Sequence, residues 1–175
     1  MYRRNLPHWH PPGATIFVTW RLAGTFPTLG KSCRDGRTFA RQDQLLDRAL
    51  SGPTWLVQPE IANCVINCPL DKGNQHDLHA FVVMRNHVHL LITPRAPLGS
   101  ITKAMRGKSA RLANAILGRT GQPFWQDESF DHWIRRPRQF DKVKRYIEGN
   151  PVRAGLVQRP EQWPYSSAAW DLLTG

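Results

Sequence analysis

Acidic residues are scarce in this chain: 13 Asp and Glu stand against 24 Lys and Arg in 175 residues. None precedes Asp35, and none lies between Asp77 and Asp127. The net charge of +11 points to a polyanionic partner, nucleic acid first. A merely basic, solvated surface is the other reading. Cysteine is also rare. Cys33, Cys64 and Cys68 are an odd number and are expected to be free thiols in a reducing cytoplasm. Cys64 and Cys68 share a helix face if that stretch is helical, but two thiols alone make a poor zinc site. No apolar run approaches the roughly 18 residues of a membrane span. The opening MYRRNLPHWHPPG has no apolar stretch behind its charges and is not expected to be a signal peptide. The length suits one domain with its own core.

The chain is richest in pattern at Leu78 to Thr93, LHAFVVMRNHVHLLIT. Two apolar runs flank the polar pair Arg85-Asn86, which predicts a β-hairpin. On its second strand His87 and His89 share one face, while Val88, Leu90 and Ile92 take the other. Two imidazoles two residues apart on a rigid strand can reach one divalent metal ion. One core histidine and one surface histidine is the alternative. A second His-x-His, at His8 and His10, sits among prolines and is a weak metal candidate.

Around the hairpin, residues 1–13 read as a basic arm and Ala14 to Leu22 as a first strand. Thr38 to Leu50 spaces Phe39, Leu45, Leu46 and Ala49 at helical intervals. Pro59 is expected to open a helix that Pro69 ends, although Val65-Ile66 would also suit a strand. Ser100 is the expected cap of a helix to about Leu117, with Ile101, Ala104, Met105, Leu112, Ala115 and Ile116 as its apolar stripe. Lys103 and Arg106 fall on the opposite face, Arg111 on the flank, and Lys108 inside the stripe. A loop with Phe124 and Trp125 precedes a strand over Ser129 to Arg135. Gln139 to Gly149 is the last main helix, ended by Asn150-Pro151. Trp163, Pro164 and Trp170 are expected to pack back as a tail over 161–175, leaving 14–160 as the domain. The order strand, helix, helix, hairpin, helix, strand, helix predicts an α+β sandwich around an antiparallel sheet.

Only three tyrosines are present, and Tyr146 alone falls on a predicted main helix. Asn150 follows one turn later, near the same face. A phenolic oxygen can attack phosphorus and form a covalent phosphodiester. An asparagine carbonyl can complete a metal shell beside two imidazoles. A packing tyrosine and a helix-end asparagine account for the same residues.

VVMRNHVH, FWQDESFDHWIR, YIEGNPVRAGLV and the WPYSSA tail, in this order, resemble the single-tyrosine HUH transposases, and most closely their REP-associated branch. The opening RRNLPHWHPPGATIFVTWRL is similar to that branch too, so the resemblance spans nearly the whole chain. It implies a ferredoxin-like antiparallel sheet flanked by helices. It also implies His87 and His89 as metal ligands, Tyr146 as nucleophile and Asn150 as the amide ligand. Arg85 departs from the proline usual in the turn before the histidines, and offers an extra phosphate contact.

By that resemblance the chain cuts single-stranded DNA beside a hairpin with Mg²⁺ or Mn²⁺, through a 5′-phosphotyrosine, as monomer or homodimer in the cytoplasm. Arg3, Arg4, Lys103, Arg106, Lys108 and Arg111 are candidates for gripping the DNA. Trp9, Phe124 and Trp125 are either base-stacking or packing residues. Competing functions are a hairpin-binding regulator without catalysis and a relaxase or replication-initiator nickase. A histidine-triad hydrolase would need a third histidine where Leu91 stands.

Overall fold

Two apolar runs joined by Met84-Arg85-Asn86 form the expected hairpin. The computed structural model describes residues 10–25, 43–49, 51–70 and 75–174. In it, β2 (His76–Val83) turns directly into β3 (His87–Pro94). β3 pairs with β1 (Ile16–Leu22), and β1 with β4 (Trp125–Trp133), every pairing antiparallel. The strand order is β2-β3-β1-β4. Residues 43–48 are helical (α1), and α2 (Pro59–Leu70) completes the crossover from β1 to β2. α3 (Leu98–Ile116) joins β3 to β4. This βαββαβ order in a four-stranded sheet is the ferredoxin-like arrangement, so the expected α+β class and sheet both hold.

Alternation along β3 divides the molecule. Val88, Leu90 and Ile92 enter the larger core, where Ile61 and Val65 of α2 and Ile101 and Met105 of α3 cover the sheet. Leu91 faces the other way, into a smaller core with Phe17, Val82 and Ile147. α4 (Pro137–Glu148) covers that second face with Phe140, Val143 and Tyr146. The histidines share this face, and His89 stacks on Phe17 with ring centroids 5.4 Å apart.

Several local expectations fail. Ser100 does not cap α3: the helix starts at Leu98, after Pro97, with no side-chain cap. The buried stripe of α3 is Ile101, Met105, Ser109 and Ala113, with Asn114 beside it, whereas Ala104, Ala115 and Ile116 are exposed. Apolar pattern alone misplaced the stripe because two of its members are polar and hydrogen-bonded. Ser109 accepts from Trp125 Nε1 (3.0 Å), and Asn114 donates to the Gln122 carbonyl (2.7 Å). Lys108 is accordingly exposed, outside the stripe. The loop expected around Trp125 is already strand β4, and both Phe124 and Trp125 are buried in the larger core. α4 itself ends at Glu148, just before Asn150-Pro151 as expected, and a short α5 (Asn150–Arg153) follows after Gly149 alone, because proline is tolerated in a first helical turn.

The tail folds along the outer edge of β2. Trp163 Nε1 donates to the Val83 carbonyl (2.9 Å), and Val83 N donates to the Tyr165 carbonyl (2.8 Å). Ser167 Oγ accepts from Phe81 N (3.2 Å) at the start of α6 (Ser167–Thr174), and Trp170 packs edge-on against Phe81. Pro164, expected to pack, is exposed. No described helix is long and apolar enough to cross a membrane.

Ile92 is fully buried in the larger core and Ile116 is 43% exposed. Ile92→Ala should cost about 2–5 kcal/mol, and Ile116→Ala within about 0.5 kcal/mol, measured by urea unfolding.

Candidate metal and nucleophile site

The site grows from the hairpin turn. Asn86 is buried, and its Nδ2 donates to the Leu46 carbonyl (3.1 Å). Its Oδ1 therefore faces His87 Nδ1 at 2.8 Å and must accept from it. That fixes the His87 proton on Nδ1 and leaves a lone pair on Nε2. His87 is fully buried, and burial, then the neighbouring His89, push it down to about 3, so it is neutral. Its Nε2 has no hydrogen-bond partner among the described residues. The oxygens facing it are Oδ1 of Asp43 and Oδ1 of Asp47, each 3.7 Å away.

His89 lies opposite Thr19 in the β1–β3 register, and its Nδ1 is 2.7 Å from the Thr19 hydroxyl. A hydroxyl donates or accepts, so it supports either tautomer of His89. His89 Nε2 meets the Asn150 side-chain oxygen at 2.9 Å, with the amide turned so that its nitrogen donates to Asp47 Oδ1 (2.7 Å). Asp43 Oδ1 lies 3.1 Å from the same Nε2. That N–H is aimed at the Asn150 oxygen, and among the described residues Asp43 Oδ1 has no well-aligned hydrogen bond of its own.

Tyr146 closes the arrangement. Its hydroxyl donates to Asp43 Oδ2, and its ring packs edge-on against Phe17 and His89, with centroids 6.2 and 6.0 Å away. All four residues named in advance for the site, His87, His89, Tyr146 and Asn150, therefore meet in one place.

Asp43 and Asp47 are the residues that the apolar reading of the 38–50 helix passed over. They stand four apart on α1, in a chain where acids are rare, and that spacing was the available signal. α1 is held against the turn by its own carbonyls. Arg85 Nη2 donates to the carbonyls of Asp47 (3.0 Å) and Arg48 (3.1 Å), beside the Asn86–Leu46 bond. Arg85 thus anchors the acid-bearing helix, a task the sequence did not suggest for it.

Ligand atoms of Asp43, His87 and His89 lie within 4.8 Å of one another, all buried. A bare imidazole lone pair and an unbonded carboxylate oxygen aimed into one buried space are costly as they stand. A divalent cation there would satisfy both, and imidazole with carboxylate and carbonyl oxygen is a donor set such ions accept. These residues fit a metal ion. Burial works to raise the Asp43 carboxyl, but attraction to His89, with the Tyr146 hydrogen bond, holds it well below the carboxylate range. Burial, and then the negative charge of Asp43, raise the Tyr146 phenol.

The cationic candidates divide between places. Lys103, Lys108 and Arg111 are exposed on α3, across the sheet from the histidines. Arg106 is half-buried and donates to the carbonyls of Gln126 and Asp127 at the start of β4, so it does not face solvent as expected. Arg3, Arg4, Trp9 and His8 lie outside the described residues; His10 pairs with Asp131 at 2.9 Å.

Residues 60–150, which hold the hairpin and the Tyr146–Asn150 segment, match the family model described as Transposase IS200 like. The chain belongs to that family. Among curated relatives of this IS200-like transposase, the REP-associated tyrosine transposase of Escherichia coli (strain K12) is 24% identical over 104 residues. That alignment takes in 59% of this chain and 61% of the relative, so about three-fifths of the relative's length is matched. Among solved structures, a REP-associated tyrosine transposase bound to a REP hairpin superposes with a TM-score of 0.61 and 18% identity. The match covers 98% of this chain and 86% of that one, which establishes a shared fold.

Burial, and then the charge of Asp43, push the Asp47 carboxyl up to about 7 from 3.8. Between those values the unfolded chain gives up a proton that the folded chain keeps, so this group's contribution to stability falls as pH rises from about 4 to about 7. Asp47→Asn cannot ionise. With chelator present, it should melt above wild type at pH 8 and level with it at pH 4. A difference that stays constant over that range would show that Asp47 does not titrate there.

Proposed function

We propose that the chain is a metal-dependent single-strand DNA endonuclease and strand transferase that acts beside hairpins, with Tyr146 as nucleophile. The observation that carries this reading is the Asp43 carboxylate, which receives the Tyr146 hydroxyl on Oδ2 and faces His89 and His87 with Oδ1. A nucleophile and a ligand set are thereby joined through one side chain.

His87 Nε2, His89 Nε2 and the Asn150 carbonyl oxygen would hold Mg²⁺ or Mn²⁺, with Asp43 Oδ1 as a further ligand. Such an ion supplies Lewis-acid polarisation of the scissile phosphate. The residues do the rest. Phe17 and His89 hold the Tyr146 ring in place, and Asn86 and Thr19 hold the imidazoles. As the Tyr146 oxygen bonds to phosphorus, its proton passes to Asp43 Oδ2, the acceptor it already points at. The P–O3′ bond breaks, and the 3′ oxygen leaves as a hydroxyl after taking a proton from solvent. The product is a 5′-phosphotyrosine. Another 3′ hydroxyl reverses the step, releasing the phenol and joining the strands without a nucleotide cofactor.

Residues 14–160 carry this activity on the same reading, and the 1–13 arm with Arg3 and Arg4 grips the hairpin. Lys103, Lys108 and Arg111 serve the duplex stem rather than the cleaved strand, since α3 lies on the far face of the sheet. Binding through such contacts weakens as salt rises.

The test is a pool of DNA hairpins with randomised single-stranded flanks, incubated with the protein and Mn²⁺ and resolved on a denaturing gel. Wild type should form a covalent protein–DNA adduct, and Tyr146→Phe should form none while still retarding the DNA on a native gel. An adduct with Tyr146→Phe removes the assignment. Asn86→Ala, which frees the His87 tautomer, should weaken Mn²⁺ binding by about 10–100-fold, read from free Mn²⁺ by electron paramagnetic resonance.

A further inference from the structure

Arg153 is the cation whose charged group lies over the nucleophile. Its guanidinium carbon sits 3.9 Å from the centroid of the Tyr146 ring. Nη1 donates to the Tyr146 carbonyl (3.0 Å), and Nη2 donates to the Asn150 side-chain oxygen (3.2 Å). Tyr146, Asn150 and Arg153 stand four and then three residues apart along α4 and α5, so one helical path delivers all three to the same face. The residue is nevertheless exposed, unlike the buried Asn150, His87 and His89 around it. Two bonds and a stacked ring fix the plane of the guanidinium, and the remaining donors of its fork are left for a ligand.

Charge argues for what that ligand is. The centre of the site carries the Asp43 carboxylate with Asp47 beside it, and a scissile phosphate brings more negative charge to the same place. Arg85, the other cation beside α1, is half-buried, with Nη2 on the Asp47 and Arg48 carbonyls and Nε enclosed by protein. Arg153 is felt electrostatically by Tyr146, Asp47 and His87 alike. A planar cation that is oriented, solvent-facing and set against the attacking group is suited to a phosphate oxygen.

We propose that Arg153 is a catalytic residue that binds a non-bridging oxygen of the scissile phosphate and so sets it in line with the Tyr146 hydroxyl. This rests on Tyr146 being the nucleophile. The role differs from that of a helix-end brace, which the bond to the Tyr146 carbonyl alone would provide.

The experiment uses the full chain and a hairpin recovered as an adduct from the randomised pool, at saturating protein in single turnover. Arg153→Ala should slow adduct formation by about 100-fold or more, the scale of losing one oxyanion donor, and Arg153→Lys should recover part of the rate. The same hairpin is then made with an uncharged methylphosphonate at the cleaved position. On it, wild type should slow sharply, and the ratio of wild type to Arg153→Ala should collapse towards one. An Arg153→Ala defect of equal size on both substrates, or one explained wholly by a lower melting temperature, makes Arg153 a brace and overturns the proposal. If wild type forms no adduct with any hairpin of the pool, the nucleophile assignment fails first and this inference with it. An adduct in wild type together with an undiminished Arg153→Ala rate overturns this inference alone.

Discussion

His87 is wholly enclosed by protein, with its proton held on Nδ1 by the Asn86 carbonyl, so Nε2 turns a lone pair towards two carboxylate oxygens. Acceptors facing one another out of reach of water repel, and a folded chain keeps such an arrangement only where surrounding structure enforces it. Here the enforcement is specific. The turn that bears the histidines also ties down α1 through Arg85 and Asn86, and α1 brings the acids. Thr19 meets His89 across the strand pairing, and Phe17 supports both His89 and Tyr146. Loosening any of these would let the carboxylates swing away from the imidazoles, which is the relaxation the packing prevents.

The hairpin, the shared face of the histidines and the helix carrying Tyr146 were all legible in the sequence, because each is a local pattern. Alternation in β3 and 3.6-residue spacing in α4 follow from backbone geometry whatever the rest of the chain does. Asp43 and Asp47 were not legible by that route. Their role comes from a contact between α1 and the β2–β3 turn, more than thirty residues along the chain, made by side chains gripping backbone carbonyls. Apolar periodicity is silent about such contacts. The same silence misplaced the buried face of α3, where Ser109 and Asn114 are inside because Trp125 and Gln122 satisfy them.

The replacement of a turn proline by Arg85 looked from the sequence like a gain in phosphate binding, and the fold gives it a structural task. A side chain reaching back to the end of α1 holds that helix where a rigid turn alone would not. The positive charge of the chain is likewise not one field. Lys103, Lys108 and Arg111 belong to the helical layer over the larger core, while Arg153 belongs to the layer that carries the tyrosine. A nucleic acid engaging both layers must pass around a margin of the sheet, so shape as much as charge selects what binds.

β2 and β4 are the outer strands of the sheet. Trp163, Tyr165 and Ser167 occupy the hydrogen-bonding groups of Phe81 and Val83 on the β2 side. Residues 163–170 are therefore a guard as well as a covering. A version of this protein cut short before them would present unpaired backbone along a strongly apolar strand, an invitation to stack sheet against sheet with its own copies. Loss of solubility, rather than loss of any chemistry at the histidines, is what such a shortened form would suffer first.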